Sequence, residues 1–122
     1  MLFRSYKQEE LRKIRIPSAV ERIGSDAFGK CGALAIVEIE DGLGEIASYA
    51  FRGCASLVAV TLPQSVAYVG EHIFSRCPSI RSLTFPKRLL PRKSEWASDI
   101  GVGKECKYTV SDSFFRKLFL KA

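Results

Sequence analysis

The chain has 122 residues, of which 47% are hydrophobic, and a formal net charge of +6, so it can form one small folded domain. No apolar stretch approaches the roughly 18 residues of a membrane span. The apolar part of the N-terminal MLFRSYKQEE is also too short for a signal peptide. We therefore expect either a cytoplasmic protein that starts at Met1 or a segment of a longer exported protein at the cell surface. The excess positive charge lies from Arg76 onward.

A repeat of 23 residues organises the chain. Full copies occupy residues 11–33, 34–56 and 57–79, and a partial copy occupies 80–90. The aligned copies keep apolar residues of similar size at equivalent positions. A single copy cannot bury these side chains, so the repeat predicts a solenoid in which stacked copies share one core.

Each copy is predicted to begin with a strand. Apolar and polar residues alternate from Lys13 to Ile16, as in a half-buried strand, and Pro17 ends it. A second short extended piece is predicted at Val20 to Ile23. A column of small residues follows, namely Gly24, Ala47 and Gly70. Ser25 and Ser48 then stand at N-cap positions, and we expect each to precede one helical turn that carries Ala-Phe.

The repeated pattern is L-x-x-I-x-I-P-x-x-V-x-x-I-G-x-x-A-F-x-x-C-x-x-L, and it extends from Leu11 to about Leu89. It resembles the BspA-like leucine-rich repeats (LRRs) of surface and secreted proteins in bacteria and parasitic protists. The resemblance implies an α/β repeat solenoid, a right-handed superhelix with a short-stranded parallel sheet on its concave face and short helical turns. It also implies a non-enzymatic protein-binding role, often in adhesion at the cell surface.

Both ends of the chain depart from the repeat. We expect residues 1–10 to form an N-terminal flank or cap, and residues 91–122 to form a degenerate repeat and a C-terminal cap. Trp96 stands one residue short of the phenylalanine column, and one deletion would let it fill that position. Lys107 to Val110 alternates as one more strand. A helix after it carries Phe114, Phe115, Leu118 and Phe119 on one face, either as part of the cap or as a basic amphipathic helix for a membrane or a partner.

The concave face is the predicted binding surface, because strand residues between the core columns point away from the core. The predicted ligand-binding residues are Arg12, Lys13, Arg15, Ile36, Glu38, Val58, Ala59, Thr61, Arg81, Ser82 and Thr84. Basic residues lie at both ends of this surface, and small or apolar residues lie in the middle. We expect a protein ligand, bound either at the cell surface or by an intracellular scaffold that uses the same face.

An alternative site would bind an anionic ligand, a glycan or nucleic acid, through the basic C-terminal half. Its predicted residues are Lys87, Arg88, Arg92 and Lys93. Nucleic acid is the less favoured ligand, because binders of single strands usually combine basic residues with exposed aromatic rings. The aromatic residue near this segment, Trp96, is expected to be buried.

We find no catalytic pattern, and we expect no enzymatic activity, no cofactor and no metal. His72 shares a column with residues as different as Asp26 and Tyr49, which indicates an exposed turn. Three cysteines share another column and are expected to be free, buried thiols, although a bridge between neighbouring copies is sterically conceivable: Cys31, Cys54 and Cys77. Four acidic residues of the second copy suggest a calcium site, but their spacing favours a solvated face: Glu38, Glu40, Asp41 and Glu45. No pattern identifies the ligand or the oligomeric state.

Overall fold

The computed structural model describes residues 2–3, 12–97 and 106–111. Two parallel sheets run along the repeats, and each full repeat contributes one strand to each sheet. This arrangement confirms the predicted α/β repeat solenoid. The predicted C-terminal helix, the loop before the last strand and Leu11 lie outside the described residues.

The larger sheet has five strands in the order β2-β4-β6-β8-β9. They are β2 (Lys13–Ile16), β4 (Ile36–Ile39), β6 (Ala59–Thr61), β8 (Ser82–Pro86) and β9 (Lys107–Ser111). The register pairs Lys13 with Ile36, Ile36 with Ala59, and Ala59 with Ser82, which is the 23-residue period. The predicted strand near Lys107 is confirmed as β9, which extends the sheet beyond the last regular copy.

The smaller sheet has four strands in the order β1-β3-β5-β7. They are β1 (Leu2–Phe3), β3 (Arg22–Ile23), β5 (Glu45–Ile46) and β7 (Tyr68–Val69). The predicted second extended piece of each repeat is thus confirmed, although it is only two residues long. Strand β1 comes from the predicted N-terminal flank and pairs Phe3 with Ile23. Repetitive structure therefore begins before the first full sequence copy.

The segment after each short strand is a tight turn, so the predicted N-capped helical turn is wrong. Asp26, Tyr49 and His72 have φ angles of 55°, 62° and 53°. These angles lie in the left-handed region, which interrupts a right-handed helix. The hydroxyl of Ser48 instead accepts a hydrogen bond of 3.0 Å from the backbone N–H of Glu71 in the next repeat. Helical structure in the described residues lies at the 3₁₀ helix Lys87–Arg92 and at α1 (Lys93–Trp96).

Columns of apolar side chains form the core, as the repeat predicts. The fully buried rings of Phe28 and Phe51 stack with their centroids 5.2 Å apart, and those of Phe51 and Phe74 lie 5.8 Å apart. Trp96 is also fully buried and meets Phe74 edge to face at 6.0 Å. The prediction that Trp96 takes the next place in the phenylalanine column is therefore confirmed.

The three equivalent cysteines form a second buried column of free thiols: Cys31, Cys54 and Cys77. The Cys54 Sγ donates to the carbonyl of Phe28, and the Cys77 Sγ donates to the carbonyl of Phe51, both at 3.1 Å. Burial raises the pKa of the Cys31 thiol. The hydrogen bond with Cys77, reinforced by burial, raises the pKa of Cys54. Cysteine suits this column because it packs as a small apolar residue and still donates a weak hydrogen bond.

Neighbouring repeats approach each other closely at the column of small residues. A Cβ atom on Gly70 would lie 2.3 Å from the backbone nitrogen of Ser48. Gly70 does not have a positive φ, and Ala47 occupies the same column. This confirms that the column requires small size and not left-handed backbone.

Candidate functional site

The outward face of the five-stranded sheet, here called the sheet surface, contains the predicted ligand-binding residues of the strands. Side chains alternate between the two faces of a strand. In β4, for example, Val37 is buried in the core whereas Ile36 and Glu38 are exposed. The structure brings the outward residues of β2, β4, β6 and β8 together on this surface: Lys13, Arg15, Ile36, Glu38, Ala59, Thr61, Ser82 and Thr84. Arg12, Val58 and Arg81 directly precede three of these strands and border the surface.

Two residues of the sheet surface were missed by the sequence prediction. Strand β9 aligns Lys107 with Ser82 and Thr109 with Thr84, so both residues share the outward face, and both are exposed. The alternation from Lys107 to Val110 indicated a strand, but its neighbour in the sheet was not identified. The degenerate segment before it breaks the period of 23 residues, and Ser82 and Lys107 are 25 residues apart.

The two basic residues of β2, at the N-terminal end of the sheet surface, are paired with glutamates of the next repeat. Lys13 Nζ lies 3.2 Å from Glu38 Oε1, and Arg15 Nε lies 2.9 Å from Glu40 Oε1. Ion pairs between exposed groups contribute only about 0.2–1 kcal/mol each to stability. Their main effect here is to cancel the charges of Lys13 and Arg15, so that Arg12 carries the remaining positive charge at this end of the surface.

The centre of the sheet surface is apolar. Ile36 is 44% exposed and Val58 is 41% exposed. Ala59 pairs directly with Ile36 across β4 and β6, and Val58 directly precedes Ala59. Ile36 and Ala59 therefore form one small patch, bordered by Val58 and here called the apolar centre, between the ion pairs of β2 and β4 and the hydroxyl groups of β6 and β8.

The C-terminal end of the sheet surface has hydroxyl groups and an exposed cation, Lys107. Thr61, Thr84 and Thr109 align on three adjacent strands. Ser82 is paired with Lys107, two residues before the pair of Thr84 and Thr109. The Lys107 ammonium makes no ion pair with any residue that the structure describes.

The alternative basic segment is largely engaged in contacts within the chain. The guanidinium of Arg88 donates to the carbonyl of Gln64. Arg92 Nη2 lies 2.8 Å from Glu95 Oε2, and its guanidinium lies over the ring of Tyr68. Lys93 Nζ lies 4.0 Å from the centroid of the Tyr108 ring. These contacts hold the 3₁₀ helix and α1 against their neighbours.

The acidic residues of the second copy have separate partners. Besides the pairs that Glu38 and Glu40 make with β2, Glu45 pairs with Arg22, and Asp41 accepts a hydrogen bond of 3.1 Å from the backbone N–H of Ser65. The carboxylates therefore do not converge as the ligands of a calcium ion would. They link neighbouring repeats.

His72 belongs to a row of turn residues across the repeats. Its ring stacks on that of Tyr49 with the centroids 5.6 Å apart. The guanidinium of Arg52 lies 5.1 Å from the Tyr49 ring centroid, and its Nε lies 3.7 Å from Asp26 Oδ1. Because each neighbour in the row contacts the next, these residues act as inter-repeat contacts on a turn.

The sequence comparison identifies the family. The family model described as BspA type Leucine rich repeat region (6 copies) matches residues 3–95, which is most of the chain. The chain belongs to the BspA-type leucine-rich repeat family. Proteins with such repeats are generally binding modules without enzymatic activity. The match begins at the strand β1 that precedes the first full sequence copy.

Two solved leucine-rich repeat proteins are similar to this BspA-type chain in structure. A leucine-rich repeat protein from Bacteroides ovatus has a TM-score of 0.51 at 19% identity, covering 90% of this chain and 39% of its own length. The T. pallidum Leucine Rich Repeat protein (TpLRR) has a TM-score of 0.51 at 22% identity, covering 99% of this chain and 75% of its own. At these identities the similarity shows the fold alone. No curated protein matches the sequence.

None of the helices among residues 2–3, 12–97 and 106–111 has the length and hydropathy of a bilayer span.

Proposed function

We propose that the chain is a protein-interaction module that binds a protein ligand through its sheet surface. The apolar centre is the observation that carries this proposal. Ile36 and Val58 leave more than two fifths of their surface in water, although the equivalent inward residues are buried. Folding gains nothing from this exposure, whereas covering the exposed two fifths of one such aliphatic side chain with a ligand contributes about 0.6–1.3 kcal/mol, in proportion to the value for full burial.

The surroundings of the apolar centre also support a protein ligand. Protein interfaces typically have an apolar core inside a polar rim that excludes water. Here the rim consists of the Lys13–Glu38 ion pair on one side and the hydroxyl groups of Thr61 and Ser82 on the other. Adhesion to a host or matrix protein at a cell surface is the setting that the family resemblance favours.

Two alternatives use the same chain differently. An anionic glycan or nucleic acid would bind the basic segment, but Arg88, Arg92 and Lys93 already have partners within the chain. Binding there would have to displace those contacts, which makes this alternative weaker. An intracellular scaffold would use the sheet surface itself, and an export signal encoded in the same gene would favour adhesion over this role.

The test is a selection of linear peptides displayed on phage against the immobilised chain. The selected peptides are then titrated by calorimetry into the wild type and into Ile36→Asp. We expect at least a tenfold loss of affinity for Ile36→Asp, because a loss of about 1.4 kcal/mol or more follows from burying a carboxylate in place of an isoleucine. Ile36 is preferred to Arg15 for this test, because Arg15→Glu would also disrupt the pair with Glu40.

Leu90→Asp is the matched control. Leu90 is 46% exposed, close to the value of Ile36, but it lies on the 3₁₀ helix outside the sheet surface. We expect this control to bind the selected peptides as the wild type does. Unchanged binding by a folded Ile36→Asp variant, or an equal loss in both variants, would overturn the proposal. A loss of peptide affinity in Lys87→Glu, without a loss in Ile36→Asp, would favour the basic segment as the binding site.

A further inference from the structure

We infer that the ligand is an extended peptide segment that crosses the strands of the sheet surface, with an aliphatic residue at the apolar centre and an acidic residue at Lys107. This inference rests on the proposed function and specifies the chemistry of the ligand. It follows from the charge of the sheet surface, from its hydroxyl groups and from the spacing of its strands.

The charge of the sheet surface is uneven along the solenoid. At the N-terminal end, the two cations of β2, Lys13 and Arg15, are neutralised by Glu38 and Glu40. At the other end, β6, β8 and β9 carry no acidic residue, and Lys107 is exposed. Arg81 adjoins it, since the backbone N–H of Lys107 donates to the Arg81 carbonyl at 2.7 Å. A ligand carboxylate is therefore attracted more strongly to the C-terminal end, with Lys107 and Arg81, than to the N-terminal end, where Arg12 is the basic residue outside these ion pairs.

Hydroxyl groups on β8 and β9 lie beside Lys107. Ser82 is paired in register with Lys107, and Thr84 is paired with Thr109. A carboxylate only accepts hydrogen bonds, and these hydroxyl groups can donate to it beside the ammonium. An aliphatic side chain would make no hydrogen bond with these hydroxyl groups, and a basic side chain would be repelled by the Lys107 ammonium. The C-terminal end of the surface thus favours an acidic side chain.

The distance between the two features sets the spacing in the ligand. Ile36 lies on β4 and Lys107 on β9, three strand positions apart in the sheet order. Adjacent strands are about 4.8 Å apart, so the two features are separated by about 14 Å. An extended chain advances about 3.3–3.6 Å per residue. The acidic residue is therefore expected about four positions from the aliphatic residue.

The test uses the peptides selected by phage display on the wild-type chain. We expect Asp or Glu to be enriched about four positions from a conserved aliphatic residue. A selected peptide and its Asp→Asn analogue are then titrated into the wild type, Lys107→Gln and the control Lys87→Gln. In low salt, Lys107→Gln should lower the affinity for the acidic peptide about fivefold. The Asn analogue should bind the wild type and Lys107→Gln with equal affinity. Lys87→Gln should bind like the wild type, because Lys87 lies on the 3₁₀ helix.

The possible results separate this inference from the proposed function. If Ile36→Asp abolishes binding but the peptides show no acidic preference and Lys107→Gln binds unchanged, the inference is wrong and the proposed function stands. If Ile36→Asp has no effect, the proposed function itself fails. An acidic preference that depends equally on Lys87 and Lys107 would also overturn the inference, because it would reflect the overall net charge.

Discussion

Phe51→Ala is the substitution that most severely tests the stacked core. The ring of Phe51 is fully buried and lies between two others, 5.2 Å from Phe28 and 5.8 Å from Phe74. The interplanar angles are 5° and 17°, so both contacts are stacked. Removing the ring therefore leaves a cavity within the column and breaks the contact between successive repeats.

The magnitude follows from these contacts. Burial and the cavity together give a cost of about 3–5 kcal/mol for Phe→Ala in a core. Each lost ring pair accounts for about 0.5–1.5 kcal/mol of such a cost beyond buried area. Small domains are stable by only about 5–15 kcal/mol. We expect the melting temperature to fall by at least about 10 °C, since 1 kcal/mol corresponds to about 3–5 °C at this chain length.

The assay is thermal unfolding monitored by circular dichroism, with Phe51→Leu as the matched control. Leucine keeps an apolar side chain in the column but loses both ring contacts, so it should cost clearly less than alanine, about 1–2 kcal/mol. A melting temperature for Phe51→Ala within one or two degrees of the wild type would refute the assignment of Phe51 to a continuous column.

Two further predictions concern other columns. The thiols of the buried column should resist alkylation by iodoacetamide in the native protein and react after unfolding in guanidinium, because burial keeps the reagent from reaching them: Cys31, Cys54 and Cys77. Mass spectrometry of the modified peptides checks this, and rapid native labelling of all three would contradict it. Gly70→Ala should destabilise the chain by about 1–3 kcal/mol in a denaturant titration, because its Cβ would lie 2.3 Å from the Ser48 nitrogen. Gly32→Ala is the control and should be nearly neutral, since no atom lies within 4 Å of its Cβ position; equal effects of the two substitutions would contradict the steric reason.

Most of the fold was predictable because one spacing determines both register and burial. The 23-residue period predicted that Lys13, Ile36, Ala59 and Ser82 align across four strands, and they do. The same alignment predicted the buried columns of phenylalanine and cysteine. Such long-range pairs are difficult to infer in an ordinary globular sequence, where no repeat relates distant residues.

The turns were mispredicted for a local reason. Serine before Ala-Phe is typical of a helix N-cap. The left-handed backbone at Asp26, Tyr49 and His72 gives no clear signal, because none of the three is glycine. Contacts between repeats hold this conformation, for example the hydrogen bond of 3.2 Å from the Tyr49 N–H to the Glu71 carbonyl. These contacts exist only after stacking.

The candidate site was predictable in position but not in charge. Strand alternation placed Ile36 and Arg15 on one face, and the structure agrees. The sequence suggested a basic N-terminal end, but Glu38 and Glu40 pair with the cations of the preceding strand. Lys107 was missed because the degenerate repeat hides its register. The binding role of all these residues remains a prediction.

The central claim, that the sheet surface binds the ligand, is tested most directly by NMR. The ¹⁵N-labelled chain is titrated with the tightest selected peptide, and changes in the backbone amide shifts are mapped onto the strands. We expect the largest changes on β4, β6, β8 and β9, centred on Ile36 and Ala59. Changes concentrated on β3, β5 and β7, or on the 3₁₀ helix Lys87–Arg92, would contradict the claim.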